Sequence, residues 1–440
     1  MPRSIVLGAL CLALAAAPTA AQTGPGGCDG DARRYCDEIE RLAAHPAVRR
    51  ALDHIAATDA DAVRDLITLT EIPAPPFMEE ARGRKYAEML KEAGADSVWT
   101  DAAGNVIALR KGRTGGRVLA ISGHLDTVFP EGTDVTVTQR GDTLFAPGIG
   151  DDTWGLVVVL QTLRALEAAG VETEADVLFI GTVGEEGLGD LRGVKQLFGP
   201  DGPKIDAFIS VDGTGDERIV NQGLGSRRYR VTFKGPGGHS WGAFGIGNPT
   251  HALGRAIHLF DEEADRFTRE GARTSYNVGR IGGGTSVNSI SFEAWMEVDM
   301  RSESQSRLME IDSIFRAAVQ RALEEQNAVR RRGDSLRVEV ELVGDRPSGE
   351  IDPATPFIQR AIAATRHFGR NPGLTVSSTD ANVPIALGIP AITIGGGGVS
   401  GDAHSPEEWF IPRDTARGIQ RALLIVVAEA GLADGTASDR

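Results

Sequence analysis

Residues Val118-Leu119-Ala120-Ile121-Ser122-Gly123-His124-Leu125-Asp126-Thr127 decide how the rest of this 440-residue chain is read. The apolar run at their start predicts a buried parallel strand, and it delivers an H-x-D tripeptide to the strand's carboxyl end, where open α/β sheets place their sites. Next outward, Gly148-Ile149-Gly150-Asp151-Asp152 presents two carboxylates ahead of Leu156 to Leu166, an apolar-rich segment that predicts a largely buried helix. Further on, Glu185-Glu186 follow the strand-like run Val177-Leu178-Phe179-Ile180, Asp212 follows Phe208-Ile209-Ser210-Val211, and His404 sits in a Gly-rich loop. Taken singly, each of these is as readily a helix cap or a satisfied polar group. Together, imidazoles and carboxylates at five strand ends or loops predict a site for borderline divalent cations, zinc first, with cobalt or manganese as substitutes. No thiolate joins the set.

Composition sets the bounds. With 41% hydrophobic residues the chain is globular, and its length suggests two or three domains. Residues 1–21 stand apart: Arg3 gives a positive start, Ile5 to Ala17 an apolar run, and Thr19-Ala20-Ala21 a small-residue cleavage site, which together predict a signal peptide and an exported, periplasmic or secreted, protein. The run is too short for a membrane span, and no later stretch reaches about 20 apolar residues. Loss of this leader removes Cys11 and leaves Cys28 and Cys36, which in an exported chain favour a disulfide over two free thiols. The formal charge of −15, one unit more negative without Arg3, argues against nucleic acid or an anionic membrane as partner. Arg330-Arg331-Arg332, the one short basic cluster, reads as a solvated helix end.

Along the chain, Asp31 to Thr70 reads as helical up to the Pro-rich turn at Pro73-Ala74-Pro75-Pro76, and Glu79 to Ala93 as an amphipathic helix. Strands near Ser97 to Trp99 and Asn105 to Arg110 lead into the central strand, and from there to Asp212 strands and helices alternate, the pattern of a mostly parallel sheet with helices on both faces. After Gly225 the character changes. Arg228 to Lys234 and Phe292 to Met300 alternate as half-buried strands, Pro249 to Arg269 and Gln305 to Arg330 read as helices, and Leu336 to Leu342 closes the unit. The predicted architecture is therefore an α/β catalytic domain in two halves, 22–225 and 345–440, around an inserted α+β domain, 226–344, whose edge strand and amphipathic helices offer a dimer surface.

With these motifs in view the chain resembles the M20 metallopeptidases, a dinuclear zinc group of tripeptide aminopeptidases, dipeptidases, glutamate carboxypeptidases and related deacylases. The resemblance runs in order through His124-Leu125-Asp126-Thr127-Val128, Gly148 to Asp152, Gly184-Glu185-Glu186-Gly187, Val211-Asp212-Gly213, Gly238-His239-Ser240 and Ala403-His404-Ser405-Pro406-Glu407. It implies two zinc ions per subunit bridged by Asp151, with His124 and Asp212 completing one site and Glu186 and His404 the other. A bridging carboxylate holds two cations roughly 3.5 to 4 Å apart, close enough for a shared water to ionise near neutral pH. Asp126 would accept the other imidazole N–H of His124. Glu185 would be the general base, and His239 would stabilise the oxyanion, often in the partner subunit of a homodimer. Asn288 and Arg301 match positions that hold a substrate carbonyl or carboxylate. Gly396, within Gly395 to Gly398, reads either as a point where substrate backbone passes close or as part of an ordinary turn. In Ser378-Thr379-Asp380-Ala381-Asn382, Asp380 could simply cap the segment that follows.

One departure bears on specificity. Many family members carry Asp-x-Lys-Gly after the bridging Asp, whereas here Asp151 is followed by Asp152-Thr153-Trp154-Gly155. Trp154 and Trp241 would line the substrate cleft or pack in a core. The expectation is an exopeptidase, aminopeptidase or dipeptidase in type, acting on short peptides. An N-acyl amino acid deacylase or glutamate-type carboxypeptidase uses the same ligands, and a metal-dependent binding protein is the non-enzymatic alternative.

Overall fold

The computed structural model describes Cys28 and residues 30–433; the expected leader, 1–21, lies outside the described residues. The strand Val118–His124 sits inside a nine-stranded sheet, and every residue from Leu119 to His124 is buried, so both faces of the strand are covered. It pairs in parallel with Asp176–Thr182 on one side and Ala207–Val211 on the other, and Ala391–Ile394 continues the parallel set. Val106–Arg110 and Ser97–Thr100 extend one edge antiparallel. Arg218–Gly223 lies antiparallel to Ala391–Ile394 near the other edge. The carboxyl ends of the parallel strands therefore open on one side, carrying His124, Val183 to Glu186 and Asp212.

The helix Trp154–Ala169 has no polar stripe because it is covered nearly all round. It packs on Val118–His124 and against the helices Pro46–Ala57 and Thr415–Ala430. Each of its buried Leu and Val side chains contributes on the order of 1.5–3 kcal/mol. The long helical segment expected from Asp31 to Thr70 is three helices, Arg33–Ala44, Pro46–Ala57 and Asp59–Thr70. Pro46 starts the second, since it lacks the N–H that would continue the first. Cys28 and Cys36 form a disulfide with Cα atoms 6.1 Å apart. Among the described residues no helix is long and apolar enough to cross a membrane.

The chain leaves the large sheet at Gly225 and returns at Arg346. Between these residues Thr274–Gly283, Glu293–Ser302, Gly225–Lys234 and Arg337–Arg346 form, in that spatial order, an antiparallel sheet. Alternation sends Tyr229, Val231, Phe233, Met296, Val298 and Met300 into a second core with Phe260 of the helix Pro249–Thr268 and Phe315 of the helix Gln305–Ala328. The opposite face is charged: Arg228 stands beside Asp299, and Arg230 beside Glu297. The Arg330–Arg332 cluster is more than a solvated helix end. The helix stops at Ala328, and the Arg332 guanidinium donates to the carbonyls of Gly242, at 2.5 Å, and Phe244, at 3.2 Å. These basic residues thus hold the loop that follows His239.

Candidate metal centre

His124 ends its strand with its ring 2% exposed. Nδ1 lies 3.0 Å from the Asp126 backbone carbonyl, which can only accept, so the proton belongs on Nδ1 and the lone pair on Nε2. This corrects the expected role of the Asp126 carboxylate, whose nearer oxygen is 3.8 Å from the ring. Fully buried, it accepts instead from the backbone N–H groups of Glu185, at 3.1 Å, and Glu186, at 2.8 Å. Asp126 thereby fixes the loop that carries both glutamates.

Asp151 stands at the middle of the cluster. Its Oδ1 is 3.1 Å from His124 Nε2, and its Oδ2 is 3.1 Å from His404 Nε2. His404 Nε2 is also 2.8 Å from Glu186 Oε1. The ligand atoms of His124, Asp151 and Asp212 lie within 4.8 Å of one another, and so do those of Asp151, Glu186 and His404. Two overlapping groups therefore share one carboxylate, with a different oxygen turned to each histidine. His124, Glu185 and Glu186 make a third group within the same distance.

Backbone amides hold these ligands from behind. Glu408, 1% exposed, accepts from the N–H groups of Gly148 at 2.8 Å, Gly150 at 2.8 Å and Asp151 at 3.0 Å. Asp152, joined to Asp151 by a cis peptide bond, accepts from the N–H of His124 at 3.0 Å and of Gly155 at 3.2 Å. A Cβ on Gly155 would come within 2.3 Å of the Asp152 carboxylate, so no other residue fits there. Asp380 does not act as a cap: buried, it accepts the Thr182 hydroxyl at 2.5 Å.

The electrostatics follow from crowding: six carboxylates, Asp126, Asp151, Asp152, Glu185, Glu186 and Asp212, gather around two imidazoles, His124 buried and His404 exposed. Burial works to discharge His124, yet the hydrogen bond to Asp151 and the charges of Asp152, Asp126 and Asp151 outweigh it and raise its pKa well above 6.5. Hydrogen bonds to Asp151 and Glu186 push His404 up to about 10. Burial lifts Glu185 well above the usual range against the pull of Arg346 and His124, and burial with the Asp151 charge takes Asp212 to about 6. The donor set, nitrogen and oxygen with one carboxylate facing both ways, fits two borderline divalent cations, which would relieve the same repulsion.

A cavity of about 400 Å³ opens on this cluster, with Asp151, Glu185, Glu186, Asp212 and His404 on one wall. Arg228 and Arg301, on the charged face of the inserted sheet, line the same cavity, and Arg346 lines it beside Glu185. Arg301 Nε donates to Asp299 Oδ2 at 2.7 Å and Arg228 Nε to Asp299 Oδ1 at 3.0 Å, so one carboxylate steadies two guanidinium groups. Arg346 donates to Glu185 Oε1 at 3.1 Å. The sequence reading found Arg301 and missed Arg228 and Arg346. The alternation around Tyr229 does place Arg228 on the charged face, but only the fold shows that this face overlooks the cluster.

The expected oxyanion residue, His239, and two expected substrate contacts, Asn288 and Gly396, do not line this cavity. His239 and Asn288 are exposed and belong together, since Gly238–His239 pairs with Ser289–Ile290 and the Ser240 N–H donates to the Asn288 carbonyl at 2.9 Å. Neither lines the cavity beside the ligands. Gly396 is buried, and its carbonyl accepts Trp154 Nε1–H at 2.9 Å. A Cβ there would come within 2.7 Å of Val158 and 2.8 Å of the Trp154 ring, so this glycine serves packing and not substrate approach. Trp154 is likewise core, whereas Trp241 is 87% exposed.

The model of Peptidase family M20/M25/M40 matches residues 120–427. Among curated proteins, carboxypeptidase G2 of Pseudomonas sp. (strain RS-16) is 26% identical over 331 residues, covering 71% of this chain and 75% of that protein. Succinyl-diaminopimelate desuccinylase of Leptothrix cholodnii is 28% identical over 231 residues, or 49% of this chain and 58% of that one. Among solved structures, aminopeptidase PepT from Bacillus cereus superposes with a TM-score of 0.67 at 20% identity, covering 85% of this chain and 99% of the other. The dipeptidase Dug1p of Saccharomyces cerevisiae also gives 0.67, at 16% identity, over 87% of this chain and 98% of its own. These two likenesses concern the fold.

Proposed function

This chain belongs to peptidase family M20/M25/M40 and is a hydrolase; on that premise we propose that it is an exported dinuclear zinc exopeptidase hydrolysing amide bonds of dipeptides and tripeptides. The observation that carries the reading is the Asp151 carboxylate, one oxygen on His124 and the other on His404, with Glu185 buried alongside. His124, Asp151 and Asp212 would hold one cation, and Asp151, Glu186 and His404 the other. Zinc suits these donors, and cobalt or manganese could replace it. Such a pair supplies the positive charge that acidifies water and polarises a scissile carbonyl.

The chain's own residues do the rest. Glu185 takes a proton from the attacking water and returns it to the departing amine. Its burial raises its pKa, which suits a group that must give the proton back. Arg301, steadied by Asp299, is placed to hold a substrate carboxylate. The arginines that line the cavity suit any substrate with a free carboxylate on its amine side, so an N-acyl amino acid deacylase or a glutamate-type carboxypeptidase stands as the second reading.

A second copy of the chain completes the site in this proposal, bringing His239 to the oxyanion. The exposed His239 loop, with Trp241, Phe244 and Val287 around it, supports such a contact. Sedimentation of the purified chain tests it, and a monomer under assay conditions would remove His239 from the mechanism. Export rests on the pattern of residues 1–21 and agrees with the Cys28–Cys36 disulfide. Its test is the amino-terminal sequence of the mature protein.

The activity itself is tested by mass spectrometry of products from free, amino-blocked and carboxyl-blocked short peptides and N-acyl amino acids. Glu185→Gln should lower turnover by roughly 10²- to 10⁴-fold with zinc still bound. Loss of amino-terminal residues from free peptides would establish the aminopeptidase or dipeptidase form. Cleavage confined to amino-blocked or acylated compounds would establish the second reading.

A further inference from the structure

The two strands through which the inserted unit joins the large sheet both touch the loop that carries Glu185. From the entry strand, Gly225–Lys234, Arg228 Nη1 donates to the Gly187 carbonyl at 3.0 Å. From the exit strand, Arg337–Arg346, the Asp345 N–H donates to Asp190 Oδ1 at 2.8 Å. Arg346, the last residue of that strand, reaches Glu185 itself. Its Nη1 donates to Glu185 Oε1 at 3.1 Å and to the Ser378 hydroxyl at 3.0 Å, and its Nη2 donates to the Glu185 carbonyl. Apart from the bond to Ser378, these contacts fall within residues 185–190.

We infer that Arg346 is the positioning residue of Glu185, fixing the direction of the base's carboxylate from the hinge of the inserted unit. This rests on the reading of Glu185 as the base. Arg346 is 4% exposed, and a guanidinium so buried persists only with charged or polar partners. Most of the partners here are on Glu185, which is gripped at both ends, by its carbonyl and by one carboxylate oxygen. Two points of attachment fix the side-chain torsions between them, whereas one would leave the carboxylate free to swing. Arg346 is opposite Ser226 in the register of the entry strand, where the chain crosses between the two units. At this crossing the inserted unit is tied to Glu185 through the two terminal nitrogens of one buried guanidinium. Arg301, its side chain 37% exposed, is the more accessible guanidinium for a substrate.

The test uses the full mature chain loaded with zinc, with Arg346→Gln and Arg346→Lys compared with wild type and Glu185→Gln on whichever substrate the product screen yields. Bound zinc per chain and the melting temperature are measured alongside kcat and KM. Expected for Arg346→Gln is a kcat lowered about 100-fold, the loss that misplacing a reacting group by about an ångström brings, with KM within roughly threefold and zinc retained. Arg346→Lys should recover part of the loss by restoring one contact, and it carries the test if the Gln variant does not fold. A raised KM with unchanged kcat would overturn the inference and make Arg346 a substrate contact. Zinc lost with activity would overturn it too, making Arg346 a support of the ligand loop. Should Glu185→Gln keep its activity, the base itself would be wrongly assigned, whatever Arg346 does.

Discussion

The two walls of the cleft are built by opposite means. On the metal wall, carboxylates are fixed by backbone N–H groups: Glu408 gathers three, and Asp126 two from the glutamate loop. On the facing wall, cations are fixed by a carboxylate: Asp299 takes both Arg228 and Arg301. Backbone donors cannot be rotated away, so the first wall keeps its geometry whether or not its charges are compensated. Long side chains paired across a sheet can exchange partners, so the second wall can answer an incoming anion.

The contrast can be broken on the rigid side first. Glu408→Ala would leave three buried N–H groups without their acceptor and unseat the Asp151 loop. Zinc affinity should fall by about 10- to 100-fold, as for other residues that orient metal ligands, and competition with a chelator measures it. A fall of less than about threefold would mean that the loop keeps its shape without Glu408. On the adaptable side the effect should be smaller and should appear in KM. Arg301→Ala removes one charged hydrogen bond to a substrate carboxylate, worth roughly tenfold or more in KM, with zinc content unchanged. An unchanged KM would show that the carboxylate is held elsewhere.

The smallest effect concerns pH and the stripped protein. His404 is raised from 6.5 to about 10 by Asp151 and Glu186, so the folded state binds its proton more tightly than the unfolded chain does. That stabilisation is fully present below pH 6.5 and is lost as pH rises through about 10. The melting temperature of the metal-stripped chain should therefore decline across that window, and His404→Gln should flatten the decline. An unchanged slope in the variant would refute the pairing.

Much of the metal wall was legible in the sequence. His124 and Asp212 end apolar runs that read as buried strands, and Glu186 follows a third, so strand ends point to these candidate ligands from the sequence alone, and the structure gathers them. The parallel core and the inserted antiparallel unit were legible for the same reason, through period-2 alternation and uninterrupted apolar runs. Partners far apart in the chain were not. Glu408 lies 257 residues from Asp151, and Arg346 lies 161 from Glu185. No local pattern reports a pairing at that distance. Gly396 was misread because a glycine needed for close packing looks the same in sequence as one needed for close approach. Asp126 was misread because its carbonyl, which every residue has, took the role assigned to its side chain.

His404 and Glu408 lie on one short segment, the first reaching Asp151 Oδ2 directly and the second cradling the loop behind it. His404 also holds a left-handed backbone conformation, φ +66°, which a histidine keeps only where its surroundings impose it. Swinging this segment outward would take His404 away from Asp151 and slacken the loop that carries that carboxylate. The histidine that meets Asp151 Oδ2 and the support of the Asp151 loop thus stand or fall with a few consecutive residues.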